Sequence, residues 1–189
     1  MSEIYFSVDI ESNGPIPGPY SMLSFGVAAM TPEKGVIATF SRNLVELPGT
    51  SGHPDTMAWW GKEENRKAWE ACRQNTIEPA VAMKEFVAWV KEVGGKPVCV
   101  AYPAGFDFTW LHWYCENFTG GDPFGFSCID IKSFAMAMLK SDFRLTTKRA
   151  FPKRWFPANK HTHVAIDDAI EQGLLFMNML RENRSNGTR

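Results

Sequence analysis

The four cysteines, Cys72, Cys99, Cys115 and Cys128, form no Cys-x-x-Cys pair. Without that spacing neither a zinc site nor a disulfide framework is indicated, and a reducing cytoplasm is the expected setting. No apolar run approaches the ~20 residues that cross a bilayer, and no basic segment leads into an apolar one near the N-terminus, so neither a membrane span nor an export signal is expected. Charge of one sign is not in excess: 20 Lys and Arg stand against 21 Asp and Glu, a net charge of −1. A general positive field that coats duplex nucleic acid is thereby excluded, and any basic surface must be local. Internal repeats and low-complexity blocks are also missing. The expected organisation is one domain over 1–182 and a polar tail over 183–189.

Positive charge is missing most conspicuously at the start, where the first Lys or Arg is Lys34. The stretch IYFSVDIES, residues 4–12, reads as a strand. Alternation then puts Ile4, Phe6, Val8 and Ile10 on one face and Asp9 and Glu11 on the other. Two neighbouring carboxylates repel unless a cation sits between them. A solvated strand end would account for such a pair equally simply, so its meaning depends on what other segments bring.

The segment SNGPIPGPY, residues 12–20, holds three prolines and two glycines and marks a rigid loop beside the acids. Strands are predicted over 21–30 and 36–44, with the short turn TPEKG between them, giving an antiparallel meander with the first. Pro54 and Asp55 open a short helix carrying Trp59 and Trp60. The spacing of Ala82, Phe86, Trp89, Val90 and Val93 predicts a helix from Pro79 that stops at Gly94 and Gly95. A buried strand over 97–102, a helix over 107–118, a strand over 126–129 and helices over about 130–139 and 164–180 complete the pattern. The fold class is therefore α/β, with a mixed five-stranded sheet, a meander followed by parallel strands, flanked by helices.

Two more acidic positions stand at the edges of apolar elements. Asp107 follows the fourth predicted strand, where α/β folds place their sites, and Asp167 and Asp168 open the last helix just after His163. Either position also suits an ordinary helix start. Acids gathered from three segments without cysteine point to hard cations, Mg²⁺ or Mn²⁺ rather than zinc.

The joint pattern resembles the DEDDh branch of the 3'-to-5' exonucleases, which have a ribonuclease H-like fold. Asp9, Ile10 and Glu11 match the Asp-x-Glu of the first strand, Phe106 and Asp107 the acid after the fourth, and His163 with Asp168 the His followed five positions later by Asp. Asp167 competes for the last place, and spacing favours Asp168. One departure stands out: members usually carry Asn four residues before the second Asp, and here Pro103 occupies that position. The TMAWW segment and the small size look most like compact exoribonucleases of the branch.

The resemblance implies two divalent ions about 3.5–4 Å apart acting on an in-line displacement at phosphorus. Asp9 would bridge them, Glu11 and Asp168 complete one site, and Asp107 support the other. His163 would take the proton of the attacking water, a task suited to a group that titrates near neutrality. Nucleoside 5'-monophosphates would leave from the 3' end of RNA or a short single strand. The main chain of Ile10, Ser12 and Asn13 would meet the terminal ribose, and a homodimer is common in the branch. Two rival readings share these residues: a single-stranded DNA proofreading or repair exonuclease, and a catalytically silent nucleic-acid-binding module.

A basic interval from Phe143 to His161 holds Arg144, Lys148, Arg149, Lys153, Arg154 and Lys160 with no acid, interleaved with Phe151, Trp155 and Phe156. Such a mixture suits backbone neutralisation plus stacking on a single strand, and a solvated loop with core aromatics fits the composition as well. Lys148, Arg149, Lys153 and Arg154 are the strand-binding candidates. Trp60 and Phe106 are candidates for contact with the terminal nucleotide, since adjacent Trp59 and Trp60 must face different ways on a helix.

Overall fold

In the computed structural model, which describes residues 2–158 and 162–186, strand β1 (Glu3–Ser12) runs through the middle of a single sheet. Antiparallel β2 (Met22–Thr31) flanks it on one side, with β3 (Gly35–Asn43) antiparallel beyond. Parallel β4 (Lys96–Ala101) flanks it on the other, followed by parallel β5 (Cys128–Asp130), so the order is β3-β2-β1-β4-β5. Alternation in β1 sorts its residues as the sequence predicts. Ile4, Phe6, Val8 and Ile10 enter one core with Phe86 and Val90 of α3 (Pro79–Val93) and Trp110 and Tyr114 of α4 (Ala104–Thr119). Tyr5 enters the opposite core with Ile131 and Ala135 of α5 (Ile131–Leu139) and Leu175 and Phe176 of α6 (Ala165–Asn186). Both faces of the sheet are therefore covered, and β2 is buried nearly end to end.

Several boundaries differ from the sequence reading. The helix predicted over 107–118 begins at Ala104, so Asp107 is its fourth residue rather than its first. Phe126, predicted to start the fifth strand, is 90% exposed, because the chain is still turning at Gly125 with φ +66°. A helix α2 (Arg66–Cys72) follows α1 (Pro54–Trp60) and had no periodic signal, since only Ala68 and Cys72 of its seven residues are buried. The last helix runs on to Asn186, into the segment read as a polar tail. Among the described residues no helix is long and apolar enough to cross a membrane.

Candidate active site

Register determines where the site forms. Pairing between β1 and β4 ends at Val8↔Ala101, while β1 continues against β2 to Ser12↔Met22. From their carboxyl ends β1 leads on to β2 on one side and β4 to β5 on the other, which opens a crevice between them. Asp9 and Glu11 occupy the end of β1 beyond its pairing with β4, half-buried. Asp107 enters from the first turn of α4, 3% exposed, and its Oδ2 is buried without a hydrogen-bond partner.

Pro103 provides the N-cap backbone of α4 and has no side-chain cap to offer. Asp130, at the end of the neighbouring strand β5, replaces it. Its Oδ2 accepts from the Ala104 amide at 2.9 Å and its Oδ1 from the Ser133 amide at 2.6 Å, so one carboxylate caps α4 and α5 together. The sequence reading missed this residue, whose partner lies 26 positions away.

The fourth acid and the histidine arrive with the start of α6. Gly26 faces Asp9 in the β1–β2 ladder, and a Cβ there would lie 2.3–2.5 Å from the backbone of Ala165 and Ile166. The absence of a side chain lets the helix start seat directly on the sheet. Asp168 is 1% exposed and accepts from the amides of Thr162 and His163, both at 2.8 Å. Those bonds hold a turn in which His163 takes φ +59°, a left-handed conformation that costs a side-chain-bearing residue energy and is retained where surroundings fix it. Ligating atoms of Glu11, His163 and Asp168 lie within 4.8 Å of one another, whereas Asp167 is exposed.

Electrostatics agree with a site suited to hold cations. Burial first, then Asp107, Glu11 and Asp168, push the Asp9 carboxyl well above its ordinary range, with Lys148 pulling it back. Glu11 is raised well above its range by burial and by Asp168 and Asp107. Asp107 is pushed up to about 8 by burial, against the lowering influence of the amides of Ile10, Tyr102 and Asp107 itself and of Lys148. Four acids this close, one with an oxygen buried and unpartnered, match the oxygen-rich surroundings that hard divalent ions require.

The neighbouring residues redistribute the substrate candidates. Trp60 is 3% exposed, and its Nε1 donates to the Ser12 carbonyl at 2.9 Å, so the expected contact with a terminal base is corrected: Trp60 is the indole that packs inward. Trp59 is the half-buried one, its ring 5.1 Å from the His163 ring and nearly perpendicular to it. Ser12 and Asn13 are buried, and the Asn13 carbonyl accepts from the His53 amide at 2.7 Å. The carbonyls of Ser12 and Asn13, part of the main chain expected to meet the ribose, thus anchor α1 and thereby place Trp59. The Ile10 side chain belongs to the core and Phe106 packs half-buried against Trp110.

The basic interval is likewise divided. Phe151 and Trp155 are core residues under α6, and Phe156 packs against that core, so of the two readings of these aromatics the core one holds. Arg154 donates to both oxygens of Glu182 on α6, at 2.8 and 2.6 Å, and serves to pin the segment. Arg149 and Lys153 are exposed. Of the four strand-binding candidates, Lys148 alone turns inward, to Glu171 and toward Asp9. Lys160 and His161 lie outside the described residues.

A mixed sheet in this order, with four carboxylates and a histidine at the carboxyl ends of β1 and β4, defines a ribonuclease H-like nuclease. The chain belongs to the 3'-5' exoribonuclease Rv2179c-like domain family, whose match spans residues 5–180. It is 33% identical over 178 residues to the 3'-5' DNA exonuclease Cap18 of Escherichia coli, covering 92% of this chain and 90% of that one. Among solved structures, the nuclease domain of 3'hExo, a DEDDh family member bound to rAMP, superposes with a TM-score of 0.69 at 14% identity, over 95% of this chain and 92% of that one. Exonuclease I of E. coli in complex with single-stranded DNA does so with a TM-score of 0.66 at 17% identity, over 99% of this chain and 42% of that one. The protein is a 3'-to-5' exonuclease of nucleic acids.

Proposed function

We propose that this exonuclease is metal-dependent, uses two Mg²⁺ or Mn²⁺ ions, and removes nucleoside 5'-monophosphates from the 3' end of RNA or short single strands. The observation that supports it most is the convergence of Asp9, Glu11, Asp107 and Asp168 with His163 on one crevice, as their mutual influence on Asp9 and the Glu11–His163–Asp168 group attest. Asp9, on which all three other carboxylates bear, is suited to be shared between two ions, with Glu11 and Asp168 toward one and Asp107 toward the other. Ions held there would neutralise the phosphate oxygens and the developing charge on the leaving oxygen. His163, backed by the edge of Trp59 and fixed by the Asp168 bond to its amide, accepts the proton of the attacking water. Arg149, Lys153 and Lys148 supply local positive charge to the strand. Residues 1–182 act as one exonuclease domain, in the cytoplasm, and a homodimer would follow the habit of the branch.

A single-stranded DNA substrate is the second reading, favoured by the likeness to the E. coli DNA exonuclease. Turnover of matched RNA and DNA oligonucleotides decides between them. Faster degradation of RNA supports the first reading, and faster degradation of DNA replaces it with the second.

A further inference from the structure

In-line displacement puts the attacking and leaving oxygens on opposite sides of phosphorus. On one side of the site lies a hollow of about 160 Å³ bordered by Glu11, Asn43, Cys72 and His163. Because His163 activates the water, that is the side of attack. Asp9 borders a second hollow of about 360 Å³, which is shared with Tyr102, Pro103, Lys148 and Gln172 and does not include His163. The leaving 3'-oxygen, and the nucleotide that carries it, therefore point toward this second hollow.

Among the described residues Lys148 is the one cation in its lining. Its position is set from three directions. Glu171 of α6, with a side chain 5% exposed, pairs with the Lys148 ammonium. The Tyr102 ring centroid lies 5.5 Å from Nζ, and the Tyr102 hydroxyl meets the Lys148 amide. Gln172, the next residue on α6, donates to the Val8 carbonyl at 2.6 Å and so ties this part of the helix to β1. A buried carboxylate is costly unless paired, so Glu171 dictates where the ammonium must be. An ammonium has three N–H donors, and Glu171 takes one, which leaves donors for a ligand in the hollow.

We propose that Lys148, positioned by Glu171, binds the backbone phosphate of the penultimate nucleotide and so holds the strand that departs after cleavage. This rests on the exonuclease reading above. It also separates Lys148 from Arg154, which the same basic interval contributes but which is bonded to Glu182 on the outer surface.

Two substrates test it: a 5'-labelled single-stranded oligonucleotide, and the p-nitrophenyl ester of thymidine 5'-monophosphate, which has a scissile ester but no penultimate nucleotide. Lys148→Met is expected to raise the oligonucleotide KM about tenfold, with its kcat/KM loss about tenfold greater than that for the ester. The oligonucleotide Kd, measured with Ca²⁺ in place of Mg²⁺ across a salt series, should lose about one unit of log–log slope, which Lys148→Arg restores. Glu171→Gln should raise KM a few-fold at the wild-type slope, because the cation remains while its place is less fixed. Lys148→Met leaves Glu171 buried and unpaired, so if that variant does not fold, Lys148→Met/Glu171→Met carries the same expectation. Equal losses on both substrates, or an unchanged salt slope, would overturn the proposal. Failure of the wild-type protein to cleave either substrate would instead remove the exonuclease reading beneath it.

Discussion

Asp9 sits where three other carboxylates raise its proton affinity, and this gives the residue two measurable signatures. Asp9→Asn should lower kcat by on the order of 10²–10³ or more, while the metal-free protein becomes more stable because one repelling acid is gone. Loss of activity together with loss of stability would mark Asp9 as structural. The pH dependence has a definite sign. Asp107 is held to about 8 against an ordinary 3.8, so between those values the native state binds more protons than the unfolded chain. Stability of the metal-free protein is then greatest at the acid end of that window and falls as pH rises through it. Asp9 and Glu11 shift the same way. Thermal unfolding in EDTA should show a lower Tm at pH 8 than at pH 6, and divalent metal should raise Tm most at pH 8. A Tm in EDTA that rises over this interval would contradict the account.

The five residues of the motif were legible because their chemistry is local: an Asp-x-Glu on a strand, an acid after a buried strand, a His before a helical acid. The choice of Asp168 over Asp167 came from spacing, and the structure places Asp168 in the cluster and Asp167 at the surface. What sequence could not give was facing. Trp59 and Trp60 are adjacent and chemically identical, and only the bond from Trp60 to Ser12 decides which turns to His163. Lys148 and Arg154 look alike in composition, and their partners, Glu171 and Glu182, lie 23 and 28 positions away.

Elements bring these residues within reach of each other, and two contacts govern that. The start of α6 rests on Gly26, where a methyl group would collide with backbone rather than with a side chain that could yield. Gly26→Ala should therefore displace Asp168 and His163 from Glu11, costing about 1–3 kcal/mol of stability and most of the activity. A fully active Gly26→Ala enzyme would show that the helix start tolerates movement. Asp130 holds the first turn of α4, and with it Asp107, by capping Ala104. Asp130→Ala should cost about 1–2 kcal/mol and weaken metal activation, seen as a higher Mg²⁺ concentration for half-maximal rate. The strand meander and α3 follow from periodicity, which is strong in both. α2 has two buried residues in seven and β5 only three residues in all, too little pattern to detect. Seating at Gly26 was also invisible, because nothing in a GVAA stretch announces a helix crossing above it.

Across the whole molecule, the near balance of charge conceals a division of labour. Four acids gather at the carboxyl ends of β1 and β4, and Lys148 of the basic interval turns inward among them. The sheet order is what unites them: β1 is central, its two neighbours run in opposite directions, and the crevice opens where their connections diverge. The sequence pattern was enough for a mixed sheet but not for its order, which rests on pairings between β1 and residues about ninety positions away. The most direct test of the whole arrangement is incubation of a 5'-labelled RNA with Mg²⁺, Mn²⁺ or EDTA. A ladder that shortens from the 3' end with either ion and disappears on chelation is the predicted result. Internal cleavage, shortening that persists in EDTA, or no cleavage with either metal would contradict it.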